Sequence, residues 1–271
     1  MEYGINVRFF ERTVGLRKAA ELAAKAGFTQ LDYTPPVGED NWKAQMQDAL
    51  ILFNDLGLTV HQTHAPFNRY GSYGDLYGLC LARCAEATQW TGAQFMVVHG
   101  DEFDFDHTVF SPDAALEYNH KLFLPYVEQG NNSGYKVAFE TVFEDRPNKR
   151  RFTSDADELL TLIRSFGSES AVCCWDFGHS HVSFRKDAPN IVRKFGSLIQ
   201  CTHLHDNTGN DSHQTPMTGD IDWKATMDAF REIRYCGNLC VEYAHGSIPE
   251  SLMEAYIELT YKTAKYIWET K

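Results

Sequence analysis

Several common features are missing from this chain of 271 residues. None of its seven cysteines forms a C-x-x-C pair, so the paired-cysteine zinc and redox motifs are absent. Cys173, Cys174, Cys201 and Cys240 sit in apolar runs, and the odd count suits reduced thiols in a cytoplasmic protein. No uncharged apolar run approaches the roughly 18 residues that a membrane span requires. The opening residues, MEYGINVRFF, lack the basic-then-apolar order of a signal peptide, which again predicts a cytoplasmic location. No strand-like run is followed by G-x-G-x-x-G, which argues against a dinucleotide fold. Positive charge is scarce: 25 Lys and Arg stand against 37 Asp and Glu, a formal net charge of −12. Such a field repels nucleic acid and anionic membrane unless a local basic patch offsets it. One basic run exists, RPNKRR at 146–151, and by composition alone it reads as a solvated loop.

What is present is an alternation of two textures. Short β-branched or aromatic runs appear at 4–9, 30–34, 59–65, 95–101, 136–141, 172–179, 198–206 and 237–245. Longer segments with helical period follow each of them. Thr13 caps the first predicted helix, Ser111-Pro112 opens the fourth, Ser154 starts the fifth, and Asp222 caps the one before the last strand. Pro125 is expected to bend or shorten the fourth. Eight strand–helix pairs without a linker-like break predict one (β/α)₈ TIM barrel over residues 1–271, with an open doubly wound sheet as the competitor.

Barrel enzymes carry their chemistry at the C-terminal ends of the strands. Six consecutive predicted strands end on a side chain that can bind metal: His64, His99, Glu140, Asp176 with His179 just beyond, His205 and Glu242. Alternation puts Val60 and Gln62 on the face of His64, Val97 with His99, Ala138 with Glu140, Cys174 with Asp176, and Cys201 and His203 with His205. A single histidine near a strand end is usually structural. Three carboxylates on one rim repel each other unless a cation intervenes, and that favours a divalent ion here. Asp211 and His213 follow in the next loop, within reach of the mouth, while His203 reads as a deeper core or supporting group. Phe67, Trp175 and Tyr243 either pack on a substrate or fill core.

The runs HAPF (64–67), VVHGD (97–101), VAFET (137–141), WDFGH (175–179), HLHDN (203–207), DSH (211–213), PMTGDIDW (216–223) and VEY (241–243) resemble, in this order, the xylose isomerase-like TIM-barrel superfamily. That superfamily includes sugar and sugar-phosphate isomerases and epimerases, and the endonuclease IV branch. The resemblance to the isomerases implies one ion held by Glu140, Asp176, His205 and Glu242, with Mn, Co or Mg suited to three oxygens and one nitrogen. The resemblance to endonuclease IV implies up to three ions, with His64, His99, His179, Asp211 and His213 added, a nitrogen-rich set that suits Zn. Position 141 holds Thr where that branch has Asn, and position 146 holds Arg where ketose 3-epimerases have a second Glu.

The resemblance therefore implies a metal-dependent isomerase or epimerase acting on a small sugar or sugar phosphate through an enediolate. Glu140 and Glu242 would be its acid–base pair and His179 the polarising group. Arg146 and Trp175 are expected at the substrate, with Lys149, Arg150 and Arg151 as further holders of a phosphate. The alternatives are a multinuclear zinc phosphoesterase and a sugar dehydratase. A homo-oligomer is also expected from the resemblance.

Overall fold

The computed structural model describes residues 1–68, 72–100, 110–144, 151–242 and 248–270. Eight parallel strands form the barrel wall: β1 (Tyr3–Asn6), β2 (Gln30–Tyr33), β3 (Thr59–His64), β4 (Phe95–Val98), β5 (Lys136–Glu140), β6 (Ala171–Asp176), β7 (Ile199–His203) and β8 (Leu239–Val241). From β1 to β7 each hydrogen-bonds to its neighbour in chain order, and β1 also pairs with β8. The ring closes just beyond β7. There Leu204 bridges to Val241, with Leu204 N donating to Cys240 O at 2.7 Å and Glu242 N to Leu204 O at 3.1 Å.

The helices are α1 (Arg8–Ala26), α2 (Trp42–Asp55), α3 (Tyr77–Thr91), α4 (Pro112–Ser133), α5 (Ala156–Ser165), α6 (Phe177–Phe184), α7 (Ala188–Phe195), α8 (Trp223–Glu232) and α9 (Glu250–Glu269). None is long and apolar enough to cross a membrane. Their apolar faces meet the outside of the strands in one large core, which includes Ile5, Phe53, Met96, Phe139 and Phe230. Burial on both faces explains why the strands read as nearly continuous apolar runs. Inside the barrel Phe95, Val97, Ala138, Val172, Cys174 and Cys201 form a second, small core. Modest side chains are what the crowded interior admits.

Four local expectations need correction. The first helix begins at Arg8, ahead of Thr13, and breaks at Gly15 rather than starting late. α4 runs through Pro125, because Asn119, Phe123, Val127 and Gly130 hold one face of it against the barrel. Asp155, not Ser154, caps α5, its carboxylate accepting from the backbone of Asp157 and Glu158. Val60 belongs to the outer core, since Leu31 pairs with Val60 and Asp32 with Gln62, which leaves His61 as an extra residue in β3. The cap at Asp222 is as expected, accepting from Ala225 N at 2.9 Å.

An additional helix, α6, starts directly at the end of β6. Asp176 is its N-cap, accepting from His179 N at 2.6 Å. One side chain thus ends a strand, opens a helix and faces the barrel mouth. The seven cysteines are unpaired, and six of them are buried.

Candidate metal centre

Glu140 ends β5 and is 1% exposed. Four imidazoles surround its carboxylate. His64 Nε2, His99 Nε2 and His203 Nδ1 lie 3.2, 3.1 and 3.2 Å from Oε2, and His179 Nδ1 lies 3.0 Å from Oε1. His203 Nδ1 is also 3.3 Å from Glu242 Oε2 and 4.0 Å from Asp176 Oδ2. Asp211 Oδ1, from the loop after β7, sits 3.6 Å from His179 Nε2 and 3.2 Å from His213 Nε2.

Contacts with backbone carbonyls explain how three of these rings are aimed. Nδ1 of His64 lies 2.8 Å from the carbonyl of Ala65, Nδ1 of His179 lies 3.0 Å from that of Thr141, and Nδ1 of His213 lies 2.9 Å from that of Glu242. A carbonyl only accepts, so each Nδ1 carries a proton, and Nε2 is the nitrogen that could ligate an ion on losing its own. His203 is held the other way round: Nε2 contacts the Asp32 carboxylate at 2.9 Å, which turns Nδ1 inward. Asn6 steadies Asp32 by donating at 3.0 Å. An outer acceptor that fixes tautomer and ring direction is the usual support of a metal-ligating histidine.

Three groups follow, each with ligand atoms within 4.8 Å of one another: Glu140, Asp176, His203 and Glu242; His64, Glu140 and His203; and His179, His205, Asp211 and His213. The donor set fits a divalent cation. Glu140 Oε1, both nitrogens of His203, His205 Nδ1 and Asp211 Oδ1 are buried with no hydrogen bond of good geometry. Each such atom costs about 1–3 kcal/mol if nothing satisfies it.

The electrostatics lead to the same conclusion. Burial pushes the Glu140 carboxyl up, but His203 and His99 overrule it and hold it well below the usual carboxylate range. Burial also opposes ionisation of Asp211, yet the close His179 and His213 rings bring its pKa down. Despite burial, Asp176 raises His179 and Glu242 raises His203. His213 is lifted to about 9 by Asp211, against the effect of burial. His99 falls to about 4, because burial outweighs Glu140. Without an ion, protons on imidazoles balance the carboxylates; a divalent cation would supply the same positive charge.

The described residues expected at the mouth converge there, with two exceptions. His203, not His205, lies among Glu140, Asp176 and Glu242. β7 ends at His203, and the sheet register pairs His203 with Asp176, so the two are level. Alternation predicts the face of a residue but not its depth. His205 lies outside that group, with Nε2 3.0 and 3.1 Å from the two oxygens of Asp176 and its ring stacked on His213 at 3.9 Å. Space for it comes from Gly178, where a Cβ would stand 1.9 Å from His205 Cε1. Trp175 does not reach the mouth. It alternates away from Asp176, is fully buried, and packs against Phe184, Phe195 and Phe230. Arg146, Lys149, Arg150 and Tyr243 lie outside the described residues. Arg151 is buried, donating to Phe143 O at 2.8 Å with Nη2 3.5 Å from His99 Nδ1.

Sequence reading missed three supporting residues. Asn6 and Asp32 are polar residues inside strands, which was the available signal. Asp206 is fully buried and accepts from the backbone of Asn207, Met217 and Ile221 and from Trp223 Nε1. It folds the loop that brings Asp211 and His213 over the mouth. The resulting cavity, about 210 Å³, is lined by His64, His99, Glu140, His179, His213 and Glu242, with Phe67 stacked on His99 at 4.7 Å.

The comparisons with known proteins agree with this architecture. The chain is 22% identical to the uncharacterized protein y4fM of Sinorhizobium fredii, over 82% of this chain and 78% of that one. Among solved structures it is similar to a D-tagatose 3-epimerase-like protein, with a TM-score of 0.75 at 18% identity, covering 98% of this chain and 100% of that one. D-psicose 3-epimerase from Clostridium cellulolyticum H10 gives a TM-score of 0.79 at 14% identity over 99% and 100% of the two chains. The 3-keto-D-glucoside 4-epimerase YcjR of E. coli gives 0.76 at 14% identity over 97% and 99%. At these identities the likeness establishes the fold. The model of the xylose isomerase-like TIM barrel family matches residues 20–263, and the chain belongs to that family.

Proposed function

We propose that the protein is a divalent-metal-dependent isomerase or epimerase acting on a small sugar or sugar derivative. One observation carries the reading: Asp32 turns His203 so that its Nδ1 faces Glu140 at 3.2 Å and Glu242 at 3.3 Å. Two carboxylates thus flank one metal-competent nitrogen, and both line the cavity. Sugar epimerases among the structurally similar proteins support it.

Glu140, Asp176, His203 and Glu242 would hold the ion. When bound, it supplies Lewis acidity that offsets the negative charge developing on a substrate oxygen as the adjacent carbon loses its proton. One of Glu140 and Glu242 takes that proton and the other returns one, which exchanges the hydrogen and permits inversion. His179, its Nδ1 committed to Thr141 O, presents Nε2 to the substrate oxygen. His205 keeps the Asp176 carboxylate in place.

Protein loaded with Mn²⁺ and incubated with a ketohexose in D₂O is expected to incorporate deuterium at the carbon next to the carbonyl. Chelation stops this and added metal restores it. Exchange unaffected by exhaustive chelation would refute the reading.

A second reading rests on a separate observation. His64 on one side, with His99 3.1 Å from Glu140, and Asp211 and His213 on the other, exceed what one ion needs. A site with two or three Zn²⁺ ions hydrolysing a phosphoester would use them all. Phosphodiester cleavage with no proton exchange would favour it.

A further inference from the structure

Arg8 and Arg12 stand one turn apart on α1, are exposed, and line the same cavity as His64, Glu140 and Glu242. Neither guanidinium makes a hydrogen bond or ion pair among the described residues, although the formal net charge of the chain is −12. Glu11 lies between them in sequence and is half-buried; it feels both electrostatically but pairs with neither. Unpaired arginines are rare company for a cavity whose floor is carboxylates, and they cannot be discharged near neutral pH.

The local backbone sets this arrangement. Gly15 has φ 77° and ψ 157°, a conformation for glycine, and it breaks α1 into a short first segment and a longer second one. The first segment carries Arg8, Phe9 and Arg12. Phe9 packs toward His213 with ring centres 5.6 Å apart, and the Arg12 guanidinium lies 5.8 Å from the Phe9 ring. Arg12, Phe9 and His213 therefore form a continuous line of contacts from the rim to the candidate metal centre. Beyond the rim a second hollow of about 420 Å³ shares Arg8, Thr34 and Phe67 with the first, so the space continues outward past Arg8.

We propose that Arg8 and Arg12 form an anion-binding subsite at the cavity rim, so the molecule turned over there carries a phosphate or carboxylate remote from its reacting carbon. The proposal rests on the isomerase or epimerase reading for the word "turned over", and on the arginines alone for the anion. It places an anion holder near the N-terminus, in addition to the basic run, whose residues 146–150 lie outside the described residues. Two guanidiniums one turn apart give several N–H donors to one group of oxygens, and this geometry selects an anion over a neutral hydroxyl.

The test uses the Mn²⁺-loaded full chain and its Arg8→Gln/Arg12→Gln variant, with circular dichroism and metal content confirming that the variant is folded and loaded. D-Fructose, D-fructose 6-phosphate and D-glucuronate are titrated by calorimetry, and deuterium exchange is followed in parallel. The expected result is an anionic probe binding wild type more than about tenfold tighter than the neutral sugar, with the preference gone in the variant. Whether the phosphate or the carboxylate shows the larger preference identifies the group. Equal binding of neutral and anionic probes overturns the proposal, and so does an anion preference that survives in the variant. Arginine-dependent anion binding without exchange of any probe would leave the subsite standing while the isomerase reading falls. Exchange of the neutral sugar with no anion preference would do the reverse.

Discussion

Glu140→Gln and Glu242→Gln are each expected to lower solvent-proton exchange by about 10²–10⁴-fold, but for separable reasons. Glu140 Oε2 has three imidazole nitrogens within 3.2 Å, and Oε1 has a fourth at 3.0 Å. The amide removes the charge that balances those rings and puts N–H groups where acceptors are needed. Metal affinity should fall along with exchange. Glu242 lies at the edge of the group, with His203 at 3.3 Å and Asn6 Nδ2 at 3.5 Å from its carboxylate oxygens. Its amide removes a proton carrier and only one of several ligands, so metal content at saturating Mn²⁺ should stay close to that of wild type while exchange collapses. Single-turnover exchange alongside metal analysis separates the two effects. Normal exchange in both variants would show that these carboxylates do not move the proton.

Asp206→Ala should be the most damaging substitution away from the ligands, costing about 3–5 kcal/mol of stability, between one unmet buried donor and the sum for four. Its oxygens accept from three backbone N–H groups and the Trp223 indole at 2.8–3.3 Å, and the carboxylate itself is fully buried. Alanine leaves all four donors facing a gap. The loop they tie down carries Asp211 and His213, so the same change should weaken any ion held with His179 while sparing the group around Glu140. Urea denaturation gives the stability and metal titration the selectivity. A loss below about 1 kcal/mol would mean that the loop keeps its shape by other means.

Much of this was legible in the sequence, and the failures share a cause. The eight strands stand out because a barrel wall buried on both faces writes itself as short apolar runs separated by helical periods. His64, His99, Glu140, Asp176 and Glu242 were legible because strand ends mark the active rim. The level of a residue along the barrel axis is not local information. It comes from register between strands distant in sequence, which is why His203 and His205 exchanged places. Trp175 needed only period two to be placed correctly, since Asp176 points inward and its predecessor must point out. Asn6, Asp32 and Asp206 were missed because their partners lie far along the chain or across a loop. α6 was missed because its cap, Asp176, also reads as the end of a strand.

The central claim is that carboxylates and an imidazole from the ends of four strands share a positive ion. Anomalous X-ray scattering from crystals grown with Mn²⁺ or Zn²⁺ tests it most directly. The account predicts an anomalous peak about 2.0–2.3 Å from ligand atoms of Glu140, Asp176, His203 and Glu242, with any further ions beside His64 and His99 or beside His179, Asp211 and His213. A fully loaded crystal with no peak among these residues, or with its metal elsewhere on the barrel, would contradict it.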